Sequence, residues 1–169
     1  MNIYVASSWR NALQPDVVFH LRKAGHEVYD FRRPAPGVTG FAWSAIDPHW
    51  KDWSPAAFRR ALEHPIARRG FMNDLNGILC ADLCVLVLPS GRSAHLEAGF
   101  CAGAKVPVLV LQTEPCEPEL MYLLTYGLVL SLDELLAQVE RHSRMRPIKA
   151  DPRLSVVEPD AATVAGRTA

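Results

Sequence analysis

The chain reads as an α/β protein, a five-stranded and mostly parallel sheet sandwiched by helices, and three observations predict it. Short unbroken apolar runs recur at residues 1–6 (MNIYVA), 83–88 (LCVLVL) and 105–111 (KVPVLVL). Runs of that length, bounded by turn residues, suit strands buried on both faces. Stretches with helical spacing lie between them, so strand and helix alternate as in βαβ units. The third observation is the segment 83–103, LCVLVLPSGRSAHLEAGFCAG, which passes from strand through a Pro-Ser-Gly turn into a helix.

The elements follow in order. Residues 1–6 form a first strand and Ser7, Ser8, Trp9, Arg10 and Asn11 the turn after it. Pro15 is placed to open a helix whose apolar face is Val17, Val18, Leu21 and Ala24, and Gly25 closes it as a C′ residue. Residues 27–31 (EVYDF) alternate and predict a second strand. Ser54-Pro55 gives an N-cap followed by proline at N1, opening a short helix to His64. Pro65 restarts it, and Ile66, Met72, Leu75, Ile78 and Leu79 form its stripe, with Asp74 off that stripe. After the central strand, Leu96, Phe100 and Ala104 recur at helical spacing, and the small residues Ala94, Ala98, Gly99, Ala102 and Gly103 allow close packing on a sheet. Residues 117–124 predict a short helix and 127–130 a fifth strand. Ser131 to Glu134 is a capping box opening a last amphipathic helix to about His142. The expected organisation is one domain over 1–143, a Trp-rich insertion at 32–54, and an extended or disordered tail over 144–169. This is the flavodoxin-like or Rossmann-like group.

At 169 residues the chain suits a single domain with a full core. Hydrophobic residues make up 49% and charged residues 21%, which describes a soluble globular protein. Eighteen basic residues balance eighteen acidic ones, so no surplus charge points to nucleic acid or to an anionic membrane. Cys80, Cys84, Cys101 and Cys116 have no zinc-ligand spacing and read as reduced, buried small hydrophobes. With no leader-like start and no apolar run near the ~20 residues of a membrane span, a cytoplasmic location is expected. There is no G-x-G-x-x-G and no P-loop to support dinucleotide or triphosphate binding. No metal and no cofactor is expected.

Ligands of open α/β sheets bind at the carboxyl ends of the strands, where the turn of segment 83–103 lies. Ser93 sits where the helix begins, and its hydroxyl with the free N–H groups suits an anion. Glu97, one turn in, is near the positive end of the helix dipole and can serve as nucleophile or general base. The same two residues also fit a plain cap and a solvated helix position, and the segment alone does not separate the readings. The insertion holds Trp43, Trp50 and Trp53 with Phe41 and His49. It reads either as a lid or wall stacking on a flat ligand, or as a plug for a satellite core.

These residues together resemble the nucleoside 2-deoxyribosyltransferase family and the related nucleoside 5′-monophosphate N-glycosidases. The resemblance rests on IYVASSWR, FMNDLNGILCADLCVLVLP, GRSAHLEAG and KVPVLVL, and covers residues 1–111. It implies an enzyme that cleaves or transfers the N-glycosidic bond of a (deoxy)nucleoside or its 5′-monophosphate. Glu97 would attack C1′ and form a covalent glycosyl intermediate, Asp74 would assist the departing base, and Tyr4 would orient Glu97. Asp82 is the second acidic position, and Gly99 follows the glutamate. Ser7, Arg10, Ser90, Gly91 and Ser93, in turns at one sheet edge, would hold the substrate and its 5′-phosphate, with Trp43 and Trp50 against it. A homodimer or higher homo-oligomer is implied by the family's habit of building sites at subunit contacts, and by the apolar residues at 121–124. The chain departs from the family pattern at Ser93-Ala94-His95-Leu96, in the length of the insertion, and in offering no identifiable residue for a neighbouring subunit's site. A nucleotide-sensing module without turnover and a TIR-like NAD hydrolase are the rival readings on the same fold.

Overall fold

The computed structural model describes residues 1–145. The expected tail therefore lies outside the described residues, except that residues 144 and 145 belong to the last helix. Five strands, β1 (Asn2–Ala6), β2 (Glu27–Asp30), β3 (Leu83–Val87), β4 (Val108–Leu111) and β5 (Gly127–Val129), form one sheet in the order β2-β1-β3-β4-β5. Every pairing is parallel, which sharpens the expectation of a mostly parallel sheet. The five helices are α1 (Gln14–Lys23), α2 (Pro55–Ala61), α3 (Pro65–Leu79), α4 (Arg92–Gly103) and α5 (Leu132–Met145). This is the flavodoxin-like order, in which the chain reverses direction between β1 and β3.

Period-2 alternation divides the strand residues between two cores. Ile3, Val5, Val85, Leu109 and Leu111 face α1 and α5 and pack on Val17, Leu21, Leu135 and Val139. Tyr4, Ala6, Cys84, Leu86 and Val110 face α3 and α4 and pack on Ile78, Ala94, Ala98 and Cys101.

The caps follow the local chemistry. The Asn11 side-chain Oδ1 accepts the N–H groups of Leu13 and Gln14 ahead of α1, and Gly25 ends that helix at φ +86°, a conformation glycine adopts without strain. Ser54 Oγ accepts the Ala57 N–H, as expected of the N-cap. At α5, Ser131 Oγ accepts the Glu134 N–H while the Glu134 carboxylate accepts that of Leu130.

Several expectations are corrected. α4 starts at Arg92 with Gly91 as N-cap and no side-chain cap, so Ser93 lies inside the first turn. Its inward face is Ala94, Ala98 and Cys101, whereas Leu96 and Phe100 are 75% and 48% exposed. Close approach to the sheet requires small side chains, and the larger ones are turned away. In α3, Ile78 of the expected stripe is buried, but Met72 and Leu79 are exposed and Asp74 is half-buried. β4 begins at Val108 because Lys105 takes φ +62° and ends the preceding turn. The short helix expected at 117–124 is a 3-10 helix confined to Leu120–Leu124. Cys84 and Cys101 are buried, but Cys80 and Cys116 are exposed, and all four are free thiols.

Candidate active site at the carboxylate pair

The turns after β1 and β3 are tied together at the reversal point. Ser7 Oγ donates to the Val87 carbonyl at 2.9 Å, and Asn11 Nδ2 donates to the carbonyls of Val87 and Pro89. Arg32, just past β2, places Nη2 at 2.9, 3.0 and 2.8 Å from the carbonyls of Ser8, Trp9 and Asn11. Below it, Gln14 donates to the buried Asp30 carboxylate. These contacts fix the floor of the edge where ligands of this sheet type bind.

Four side chains meet on the α3/α4 side. Tyr4 and Tyr29 are register partners on adjacent strands, and their rings stack with centroids 5.3 Å apart and planes at 9°. Tyr29 Oη donates to Asp74 Oδ1 at 2.8 Å. Tyr4 Oη is buried without a hydrogen bond of full geometry. Its link to Glu97 is a loose one, close enough for each group to alter the other's acidity.

Burial is the first cause of the electrostatics here, since it disfavours charge on an acid. It pushes Glu97 up to about 7, the neighbouring Asp74 charge raises it further, and the Tyr4 hydroxyl works against both. Asp74 is also raised by burial, with the Tyr29 hydrogen bond opposing. Both tyrosines are held well above the usual range, by burial first and by the carboxylates next, so their hydroxyls remain donors. The two acids lie close enough for the charge of Asp74 to oppose ionisation of Glu97. One carboxyl and one carboxylate form the set that retaining cleavage of a glycosidic bond requires.

Of the residues expected at the site, Tyr4, Asp74 and Glu97 come together. Ser7 is in the floor. Arg10 is exposed on the β1–α1 turn. Ser90 and Gly91 lie on the facing turn, where Ser90 Oγ is 3.3 Å from His95 Nδ1. Ser93 is exposed in the first turn of α4. His95, expected as an ordinary exposed helix residue, is half-buried. Its Nδ1 is 2.9 Å from the Gly91 carbonyl and its Nε2 is 2.9 Å from Tyr122 Oη. A carbonyl only accepts, so Nδ1 carries a proton in this geometry.

Asp82 is placed elsewhere. It precedes β3, at the opposite end of that strand from the turns, and accepts the Asn2 N–H at 3.0 Å. Trp43 packs against Phe41, Trp53 and Phe58, the satellite plug that was the alternative reading of the insertion. The Trp50 ring lies beneath Lys51. Among the described contacts, neither tryptophan reaches the carboxylates. Tyr29, Asn11 and Arg32 were missed. The only sign of Tyr29 in the sequence is its place on strand two beside Tyr4.

A broad cavity of about 1100 Å³ follows the free edge of β2 and is bordered by Arg22, Tyr29, Arg33, Arg69 and Asn73. It touches Tyr29 but reaches neither Glu97 nor Asp74. Among the described residues there is no cluster of three or more metal-ligating side chains, and no helix is long and apolar enough to cross a membrane.

No protein-family model and no curated protein matches the chain. By structure it is similar to a 2-deoxyribosyltransferase from Bacillus psychrosaccharolyticus, at 19% identity and a TM-score of 0.52, over 79% of this chain and 88% of that one. It is also similar to a conserved protein from Enterococcus faecalis V583, at 16% identity and a TM-score of 0.52, over 82% of this chain and 96% of the other. At these identities the likeness is one of fold, and the chain carries the α/β fold of a 2-deoxyribosyltransferase, the family that its sequence resembles.

Proposed function

We propose that the protein is a nucleoside 2-deoxyribosyltransferase-like enzyme, cleaving or transferring the N-glycosidic bond of a (deoxy)nucleoside or its 5′-monophosphate. The observation that carries this reading is the half-buried acid pair Glu97 and Asp74, beside stacked tyrosines at the reversal point of the sheet, with the Asp74 charge raising Glu97. In the first step an ionised Glu97 oxygen bonds to C1′ as the C1′–N bond breaks, and the electron pair leaves with the base. Asp74, raised by burial, protonates that base as it departs. Water or a second base then attacks C1′, releases Glu97 and returns a proton to the site. Tyr4 steadies the glutamate throughout.

Arg10, Ser90, Gly91 and Ser93 surround the same edge and are suited to a 5′-phosphate, which favours a guanidinium, hydroxyls and N–H groups. The substrate is a small molecule, and the reading involves no cofactor, nucleic acid or membrane. The working form is a homodimer or larger. Leu96 and Phe100 on α4, and Leu120, Met121 and Leu123 in the 3-10 segment Leu120–Leu124, are 48–84% exposed, apolar side chains that a second copy would cover. A monomeric mass by light scattering at micromolar concentration would count against a second copy covering them.

Incubation with a panel of nucleosides, nucleoside monophosphates and NAD, with detection of released base, tests the whole reading. Release from nucleosides or monophosphates supports it. Binding without release identifies a sensing module, and release from NAD alone identifies a TIR-like hydrolase.

A further inference from the structure

We propose that Tyr29 is a positioning residue of the carboxylate pair, its hydroxyl fixing the orientation of Asp74 and its ring held between Tyr4 and the backbone of Gly77. The inference rests on the glycosyl-transfer reading of the site and adds to it a residue that the family pattern read from the sequence does not contain.

The geometry is specific to the hydroxyl. Gly70, Asp74 and Gly77 are spaced i, i+4 and i+7 on α3, so they share one face of that helix. A Cβ at Gly77 would lie 2.6–2.9 Å from ring atoms of Tyr29, and one at Gly70 would lie 2.7–3.0 Å from Phe41. Both glycines therefore act as seats for rings, and they let α3 close on the sheet with Asp74 between them. The Tyr29 ring fills the space between Gly77 and Tyr4, and a phenylalanine would fill it equally well. What phenylalanine would lack is the 2.8 Å bond to Asp74 Oδ1. That bond selects one orientation of a carboxylate that otherwise rotates freely about its terminal torsion.

The bond also biases the proton. Asp74 is faced by Tyr29 from β2 and influences Tyr4 on β1 and Glu97 on α4, while Asp30 on β2 acts on Tyr29 from the other side. A donor that never ionises in the working range favours the charged form of Asp74. Its removal raises every state in which Asp74 is ionised, so the pair releases its last proton at a higher pH.

The test compares Tyr29→Phe with Asp74→Asn and with the double variant, in activity and in a carbon-13 carboxyl titration of Asp74. The expected result for Tyr29→Phe is a kcat about tenfold lower or more, as for loss of a hydrogen bond to a charged group, with KM within a few-fold and an unchanged melting temperature. The alkaline limb of the pH profile and the Asp74 titration both move to higher pH. In the Asp74→Asn background the tyrosine change adds no further loss. An unmoved Asp74 titration, or a loss that multiplies with that of Asp74→Asn, overturns the inference. If no nucleosidic substrate releases base, the proposed function fails, yet the titration still decides whether Tyr29 governs Asp74.

Discussion

The two faces of the sheet are made by alternate residues of the same strands, and they have been put to different uses. On the α1/α5 face, Ile3, Val5, Leu21, Leu109, Leu111 and Leu135 are buried hydrocarbon. On the α3/α4 face, the intervening positions supply Tyr4 and Cys84, and the covering helices bring Asp74 and Glu97. The covering side chains differ to match: α1 and α5 bury Val17, Leu21, Leu135 and Val139, while α4 buries Ala94, Ala98 and Cys101. Small residues bring the helix backbone, and with it Glu97, close to the sheet. One face supplies stability, and the other spends part of it on holding acids where water is scarce.

The sharpest division is expected from Glu97→Gln, which keeps the shape and removes the proposed nucleophile. Base release should fall at least about a thousandfold with substrate binding largely intact, as for loss of a covalent catalytic group. Steady-state kinetics beside a binding titration would check this, and activity within a few-fold of the parent would remove the covalent mechanism.

The opposite face should answer in stability instead. Leu21→Ala deletes a fully buried side chain and should cost about 2–5 kcal/mol in chemical denaturation, with kcat unchanged in the molecules that remain folded. A kcat loss as large as that of the glutamate variant would mean that the faces are not separable.

Asp74→Asn tests the acid. It should lower kcat by about a hundredfold for poor leaving groups and much less for bases that leave without protonation. Equal loss across leaving groups would assign Asp74 to ligand positioning alone.

The smallest effect distinguishes the faces by pH. A carboxyl raised from 4.5 to about 7 binds its proton more tightly in the folded state than in the unfolded one. Folded protein therefore holds more protons between those values, and stability falls as pH rises through that window. Glu97→Gln removes the penalty. The variant should match the parent at pH 4 and exceed it at pH 8, by up to roughly 3 kcal/mol. Thermal melts at the two pH values give the answer, and a parent that is the more stable protein at pH 8 would contradict the burial of this acid.

The architecture was legible because its signals are large. Apolar runs located β1, β3 and β4, and Pro55, Pro65 and the Ser131–Glu134 box located three helix starts. The faces of the site helices were not legible. Leu96 and Phe100 give a strong periodic signal and are exposed, whereas the packed face of α4 is alanine and cysteine and gives almost none. In α3 the inward face includes Gly70, Asp74 and Gly77, residues that hydropathy counts as polar or neutral. Tyr4, Asp74 and Glu97 were found through the family resemblance, and the structure gathers them. Asp82 was drawn in by its position before β3 but is bonded to the Asn2 amide at the far end of the strand. Tyr29 sits in an alternating run that marks a strand and says nothing of a partner 45 residues away.

The central claim, that Glu97 carries the sugar during turnover, is tested most directly by trapping it. A nucleoside or nucleoside monophosphate with fluorine at C2′ slows release of the sugar from the enzyme, because fluorine destabilises the positive charge that develops at C1′. After reaction with such a compound the protein should gain the mass of one glycosyl group, and peptide mapping should place it on Glu97. Stoichiometric release of base with no adduct, or with the adduct on another residue, would contradict the account.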